Sequence, residues 1–114
     1  MFVSLWEKDM AASMKVRAKI SDDGITDVRI LIRHDMETGL RKEKDGTLVP
    51  PHFIQNVMVK HEGRVVLTAQ WGAAVSKNPY LNCQFLNGKL GDVVEVSWVD
   101  NKGQNQSAST NIIV

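Results

Sequence analysis

The sequence predicts an all-β protein, an immunoglobulin-like antiparallel β-sandwich of about seven strands. Hydrophobic residues recur with a period of two from Met14 onward, and Gly, Asn and Asp separate the short alternating segments. No segment shows a helical period of any length. Because the chain has 114 residues and 43% hydrophobic side chains, we expect one domain with a core of its own.

Two alternating segments begin the predicted sandwich. MKVRAKI, residues 14–20, alternates apolar and basic side chains, as expected for a strand with one face toward a core. The turn residues 22–24 follow. ITDVRILIRH, residues 25–34, then places Val28, Ile30 and Ile32 on one face.

Five further segments follow the same pattern. HFIQNVMVKH (52–61) and RVVLTAQW (64–71) flank Glu62-Gly63, a short glycine-containing turn of the kind that closes a hairpin. YLNCQFL (80–86) and VVEVSWV (93–99) alternate as well, and SASTNIIV (107–114) follows the turn DNKG. These segments complete the seven predicted strands.

Two connections, residues 35–52 and 72–79, are longer than the others. Long loops in a compact sandwich often have a function. The first contains Pro50-Pro51 and the second ends at Pro79, so proline fixes the backbone before the next strand in both. The pattern does not show whether the two loops lie at the same end of the sandwich.

The segment before the first strand, MFVSLWEKDMAAS, is interpreted as a tail of residues 1–13 preceding a domain of residues 14–114, with a short helix as the alternative. Its apolar patch is too short for the hydrophobic region of a signal peptide, and it has no twin-arginine pair. No apolar run approaches the roughly 20 residues that span a bilayer. With 14 basic and 13 acidic residues, the charge gives no reason to expect nucleic acid or an anionic membrane as a partner.

Four potential metal ligands, His34, His52, His61 and Cys83, suggest two metal sites known on such sandwiches. Mononuclear iron superoxide reductases use four histidines and a cysteine, so this chain is one imidazole short. A blue copper site draws a histidine from the loop after its cysteine, and no histidine follows Cys83. We therefore predict no metal and no cofactor, with a small metal-binding redox sandwich of superoxide-reductase type as the alternative.

The remaining candidates for chemistry have structural interpretations. Cys83 alternates with Leu81 and Phe85 on an apolar face, where cysteine behaves as a small hydrophobe. Trp71 and Trp98 fall on predicted core faces, and His34 and His61 fall at strand ends, where a ring packs and still reaches water. No nucleophile turn, zinc helix or phosphate-binding loop is present. We predict no catalytic residues.

Four collinear motifs carry a resemblance to a known family. They are HDMETGLRK, LVPPHFIQNV, WGAAVSKNPYL and VSWVDNKG, between residues 34 and 103. Together they resemble the SoxZ family of thiosulfate-oxidising bacteria. The resemblance implies a non-catalytic immunoglobulin-like subunit of the SoxYZ carrier complex. Its partner SoxY carries sulfur intermediates on a cysteine in a glycine-rich C-terminal arm, which visits the oxidising enzymes in turn.

The resemblance also implies a location, partners and contact residues. The complex is expected in the periplasm, exported with SoxY, which bears the twin-arginine signal, and the isolated chain is expected to be capable of homodimerising. Cys83 is not expected to carry sulfur, because it lies within a predicted strand and lacks flanking glycines. Motif membership marks ten candidates for contact with SoxY, its arm or an enzyme: His34, Met36, Glu37, Gly39, Arg41, Trp71, Ser76, Lys77, Asn78 and Tyr80.

Overall fold

A computed structural model describes residues 14–114, and the predicted tail, residues 1–13, lies outside this part of the chain. Seven strands form the fold: β1 Met14–Ile20, β2 Thr26–Ile32, β3 Ile54–His61, β4 Arg64–Gln70, β5 Tyr80–Phe85, β6 Val93–Asp100 and β7 Asn105–Asn111. The predicted all-β sandwich of seven strands is confirmed. Within residues 14–114, no helix is present that could cross a membrane.

The strands form two antiparallel sheets, one of three strands in the order β1-β2-β5 and one of four in the order β4-β3-β6-β7. The predicted hairpin is confirmed, because His61 pairs with Arg64 around the two-residue turn Glu62-Gly63. Both turn residues have positive φ, 48° and 80°, as the tight turns that match strand twist require.

The two sheets bury their alternating apolar residues against each other. Val28 and Ile30 of β2, Val57 and Val59 of β3, and Val96 of β6 are fully buried. Trp98 is 5% exposed, and Trp71 packs against the same core from its edge. The prediction that both tryptophans face the core is confirmed.

The outer faces of the two sheets differ in charge. The three-stranded sheet presents Lys15, Arg17 and Lys19 on β1 beside Asp27 and Arg29 on β2, and Arg17 pairs directly with Arg29 in the register. Strand alternation gives the four-stranded sheet an outer face of mostly small, uncharged residues on β6 and β7. On its two central strands, the charged outward residues are Lys60 and Glu95, which lie opposite each other.

One flank of the sandwich is closed by a seam between β1 and the residues after β7. Ile20 N–H donates to the Ile113 carbonyl over 2.8 Å, and Ile113 N–H donates to the Ala18 carbonyl over 3.0 Å. Lys19 and Ile113 therefore form a parallel bridge between the two sheets. On the opposite flank, β5 and β4 are the edge strands.

Candidate functional site

The two long loops lie together at one end of the sandwich. Asn78 N–H donates to the His34 carbonyl over 2.9 Å, and the Asn78 side-chain oxygen accepts the His34 N–H over 2.9 Å. This pair of bonds joins the loop after β2 to the loop before β5. Asn78 has a φ of 52°, the left-handed region that asparagine tolerates better than most residues.

The first loop is itself held in shape by backbone pairing. Glu37 and His52 exchange two backbone hydrogen bonds of 2.6 and 3.0 Å. Gly39 has a φ of 89°, and a Cβ there would approach the Pro51 ring to 3.2 Å. Only glycine fits this position without strain. Further along, Val49 N–H donates to the Arg41 carbonyl, so residues 41–49 form a small ribbon at the surface.

An ion pair spans the start of this loop. The Arg41 guanidinium donates to both carboxylate oxygens of Glu37, with a shortest distance of 2.8 Å. These hydrogen bonds lower the pKa of Glu37, and the charges of Lys77 and His52 add to the effect. The same pairing raises the pKa of Arg41. Two of the predicted contact residues thus bind each other.

The ten predicted contact residues gather at this end but differ in exposure. His34 and Met36 are buried, at 7% and 5% exposed, and Met36 accepts the Ile54 N–H at its sulfur over 3.3 Å. Glu37, Gly39 and Trp71 are half-buried. The exposed ones are Arg41, Ser76, Lys77, Asn78 and Tyr80. Contact with a partner stays a prediction for all ten, and its most accessible members are these five.

A buried carboxylate joins the first loop to the end of β6. The Asp100 Oδ2 atom lies 3.0 Å from His34 Nε2 and 2.7 Å from His52 Nε2. The two imidazole rings contact edge to face at 4.4 Å, and the His34 ring stands against Trp98 at 5.2 Å. We call His34, His52 and Asp100 the His–Asp–His cluster.

Asp100 is 1% exposed, yet it has four hydrogen-bond donors. In addition to the two imidazoles at Oδ2, the backbone N–H groups of Lys102 and Gln104 donate to Oδ1 over 3.0 and 2.9 Å. Burial alone would raise the pKa of Asp100, but the hydrogen bonds from His34, His52 and these N–H groups lower it below its ordinary value. Asp100 is therefore ionised and fully paired.

The three side chains of this cluster group like metal ligands, with their ligand atoms within 4.8 Å of one another. The hydrogen bonds argue against a metal there. Met36 N–H donates to His34 Nδ1 over 3.0 Å, so the proton of the neutral ring is on Nε2, which donates to Asp100. Nε2 of His34 then has no lone pair for a metal, and the lone pair of Nδ1 accepts the Met36 N–H. The set of His34, His52 and Asp100 therefore does not fit the superoxide-reductase type of metal site that was the alternative prediction.

The other potential ligands lie elsewhere. His52 precedes β3 and His61 ends it, so nine residue positions, roughly 30 Å of extended chain, separate His61 from the cluster. His61 bonds Asp92 over 2.7 Å and contacts the Phe85 ring. The prediction of a water-reaching ring at a strand end fits His61, which is half-buried, but is wrong for His34, which the cluster buries.

Sequence reasoning missed the residues that organise this end. These residues lie at the end of β6 and directly after it. Asp100 and Asn101 belong to the motif VSWVDNKG, and Gln104 follows the motif. Asn101 accepts the Phe53 N–H over 2.8 Å and donates to the Pro51 carbonyl over 3.0 Å. The available signal was a polar run directly after a buried strand, where side chains hold neighbouring loops.

Cys83 is half-buried on β5, opposite Val28. Burial raises the pKa of its thiol, and the negative charge of Asp27 raises it further. A thiol of this kind is a poor nucleophile at neutral pH, because the thiolate is the reactive form.

We expect Cys83→Ala to lower the free energy of unfolding by about 1 kcal/mol, through lost packing alone. The thiol should alkylate slowly in the folded protein and fast in denaturant. Mass spectrometry after incubation with thiosulfate and an oxidising enzyme checks its chemical role. A sulfur adduct on Cys83, together with lost pathway activity in Cys83→Ala, would contradict the packing role.

Taken together, the fold and the site define an immunoglobulin-like sandwich with two long loops fixed at one end by buried hydrogen bonds. The profile of the family "Sulphur oxidation protein SoxZ" matches residues 14–111. The chain belongs to the SoxZ family. No curated protein matches the sequence significantly.

Solved structures with a similar fold include superoxide reductases. One variant of the neelaredoxin from Ignicoccus hospitalis has a TM-score of 0.60 at 16% identity, covering 99% of this chain and 100% of that one. A second variant of the same protein gives 0.58 at 15% identity, with the same coverage. A variant of the Archaeoglobus fulgidus neelaredoxin, in the reduced form, gives 0.50 at 17% identity, covering 97% and 94%. At these identities the likeness shows the fold alone.

Proposed function

We propose that this chain is the non-catalytic subunit of a periplasmic SoxYZ carrier complex in thiosulfate oxidation. It pairs with SoxY, whose C-terminal cysteine arm carries the sulfur intermediates. The observation that carries the proposal is the match of the SoxZ family to residues 14–111. Export with SoxY and transient contact with the oxidising enzymes are parts of the same proposal.

The charge-poor outer face of the four-stranded sheet supports pairing with another protein. Protein interfaces are depleted of charge at their centre. On the two central strands of this face, the charged outward residues are Lys60 and Glu95, which lie opposite each other and have opposite signs. Four strands of seven or eight residues cover roughly 19 by 25 Å. With its rim, such a face is of the order of the ~800 Å² per partner that stable complexes bury. We assign SoxY to this face.

The loop end supports the transient contacts of the proposal. Arg41, Lys77 and Tyr80 are exposed there on a backbone that paired hydrogen bonds hold in place. A surface fixed in advance loses little entropy when a visitor binds.

The hydrogen bonding of His34 and the raised pKa of Cys83 support the non-catalytic role. The imidazole of His34 is used at both nitrogens, and the thiol of Cys83 has a raised pKa within a strand. Neither group is available to carry or oxidise sulfur. A mobile carrier also needs backbone freedom, which Cys83 lacks because it is paired with Val28 within a β-sheet.

Co-elution with SoxY tests the proposal. We expect the two proteins, mixed at micromolar concentration, to elute as a one-to-one complex in size-exclusion chromatography. Adding this chain should restore thiosulfate oxidation to a reconstituted system that lacks only this subunit. Separate elution, or normal turnover without it, would contradict the proposal. Stoichiometric iron in the purified chain would instead favour the superoxide-reductase alternative.

A further inference from the structure

A cleft of about 500 Å³ opens beside the His–Asp–His cluster, a volume typical of small-ligand sites. Residues directly after β2 and residues at the start of β7 contribute to its lining. Its lining includes Arg33, His34, Asp35, His52, Trp98 and Gln104. None of the roles proposed above uses this cleft.

The buried acceptors at the base of the cleft are already occupied. Asp100 has two donors on each carboxylate oxygen, so its acceptor capacity is used within the protein. His34 Nδ1 accepts the Met36 N–H. The side-chain oxygen of Gln104 lies 3.1 Å from His52 Nε2, so its amide group is the end of this side chain left to donate.

Hydrogen-bond donors, in contrast, remain available at the cleft. The indole N–H of Trp98 is buried and has no hydrogen-bond acceptor among residues 14–114. A buried donor without an acceptor costs about 1–3 kcal/mol, which makes it an unusual feature of a folded protein. The Arg33 side chain is exposed at the same cleft, and its guanidinium offers five N–H groups.

We propose that this cleft binds a sulfur oxyanion, either free thiosulfate or sulfate or a sulfonate group attached to a carrier cysteine. An oxyanion supplies acceptors for Trp98 and Arg33, and its charge pairs with the guanidinium. Asp35 is the one carboxylic side chain among the lining residues, and it is exposed to solvent. The choice of sulfur among the oxyanions rests on the proposed function, whereas the donor arrangement does not.

The indole N–H groups are the direct reporters. The chain has three tryptophans, so a ¹H–¹⁵N spectrum offers three indole signals at most, and Trp98→Phe identifies that of Trp98. We expect titration with thiosulfate at constant ionic strength to shift this signal saturably. Chloride should not shift it.

Two variants and a control make the result specific. Arg33→Gln should weaken thiosulfate binding roughly tenfold or more, since a hydrogen bond to a charged group is worth about 1.5–3 kcal/mol. Trp98→Phe keeps the ring in the core and should weaken calorimetric binding by a smaller factor. Arg64→Gln, an exposed arginine at the far end of the sandwich, should leave it unchanged.

The outcomes separate the two sources of the anion. Tighter binding of a glycine-flanked cysteine S-sulfonate peptide than of free thiosulfate indicates a group on a carrier, and equal binding indicates the free ion. No saturable shift up to about 50 mM, well above the ~1 mM of a 4 kcal/mol site, would overturn the proposal. So would an equal loss in Arg64→Gln. Co-elution with SoxY is measured separately, so the failure of one proposal does not imply the failure of the other.

Discussion

Replacing Asp100 by Ala is expected to lower the free energy of unfolding by about 3–5 kcal/mol. The change leaves the Nε2–H group of His34 and two backbone N–H groups without their acceptor in the interior, and leaves His52 Nε2 with Gln104 alone. It also removes the side-chain link from His34 and His52 to the end of β6, and leaves the bonds of Asn101 to Pro51 and Phe53 in place. Chemical denaturation with fluorescence detection measures the loss, provided that the transition is two-state.

Asp35→Ala is the matched control, because Asp35 lies at the same end and is exposed. We expect it to change the unfolding free energy little. A similar loss in both variants would show that the end of the sandwich is fragile in general. It would contradict the special role given to the buried carboxylate.

Low pH should remove the contribution of Asp100 to the free energy of unfolding. Its pKa is lowered in the folded state, so the stabilisation is present above the unfolded-state pKa, about 3.9, and is lost as pH falls toward the folded-state value. Asp100→Asn should therefore show a shallower loss of stability below about pH 4 than the unmodified chain. Parallel curves for the two proteins would show that other carboxylates dominate acid unfolding.

Ser97→Arg is expected to weaken SoxY binding by about 100-fold or more. Ser97 lies in the middle of the outer face of the four-stranded sheet, between Met58 and Ser107 in the register. A buried charge without a partner costs about 3–5 kcal/mol, and each 1.4 kcal/mol is a factor of ten. Calorimetric titration of SoxY into each variant measures the affinity.

Gln84→Arg places the same side chain on the outer face of the other sheet, where β5 is an edge strand. We expect it to bind SoxY normally. Equal weakening by the two variants would contradict the assignment of the four-stranded face. Weakening by Gln84→Arg alone would place SoxY on the three-stranded sheet instead.

The strands were predictable because one face of each meets the core. MKVRAKI and VVEVSWV alternate so regularly that their inward residues could be named from the sequence, and all of those residues except the half-buried Ile20 are buried. The Glu62-Gly63 turn was equally local, since its two residues favour a two-residue hairpin. In each case the information lies within a few neighbouring residues.

The site was predictable only in part, because its contacts join distant segments. The motifs marked His34 and Asn78, which do bond each other, but they gave no sign that Asp100 binds two histidines. An aspartate after an apolar strand is usually solvated, and its burial depends on donors from three separate segments. The tautomer of His34 likewise depends on the position of the Met36 N–H, which sequence periodicity does not encode.

The seam between β1 and the C-terminal segment has a consequence for synthesis. A ribosome releases residue 19 long before residue 113, so β1 spends most of translation without the partner that covers its outer edge. Pairings this far apart in the chain also slow folding, toward the millisecond-to-second range of sandwich proteins. A nascent chain therefore exposes an unpaired strand edge during elongation, and protection of that edge by a chaperone or by rapid β1–β2 pairing would favour correct folding.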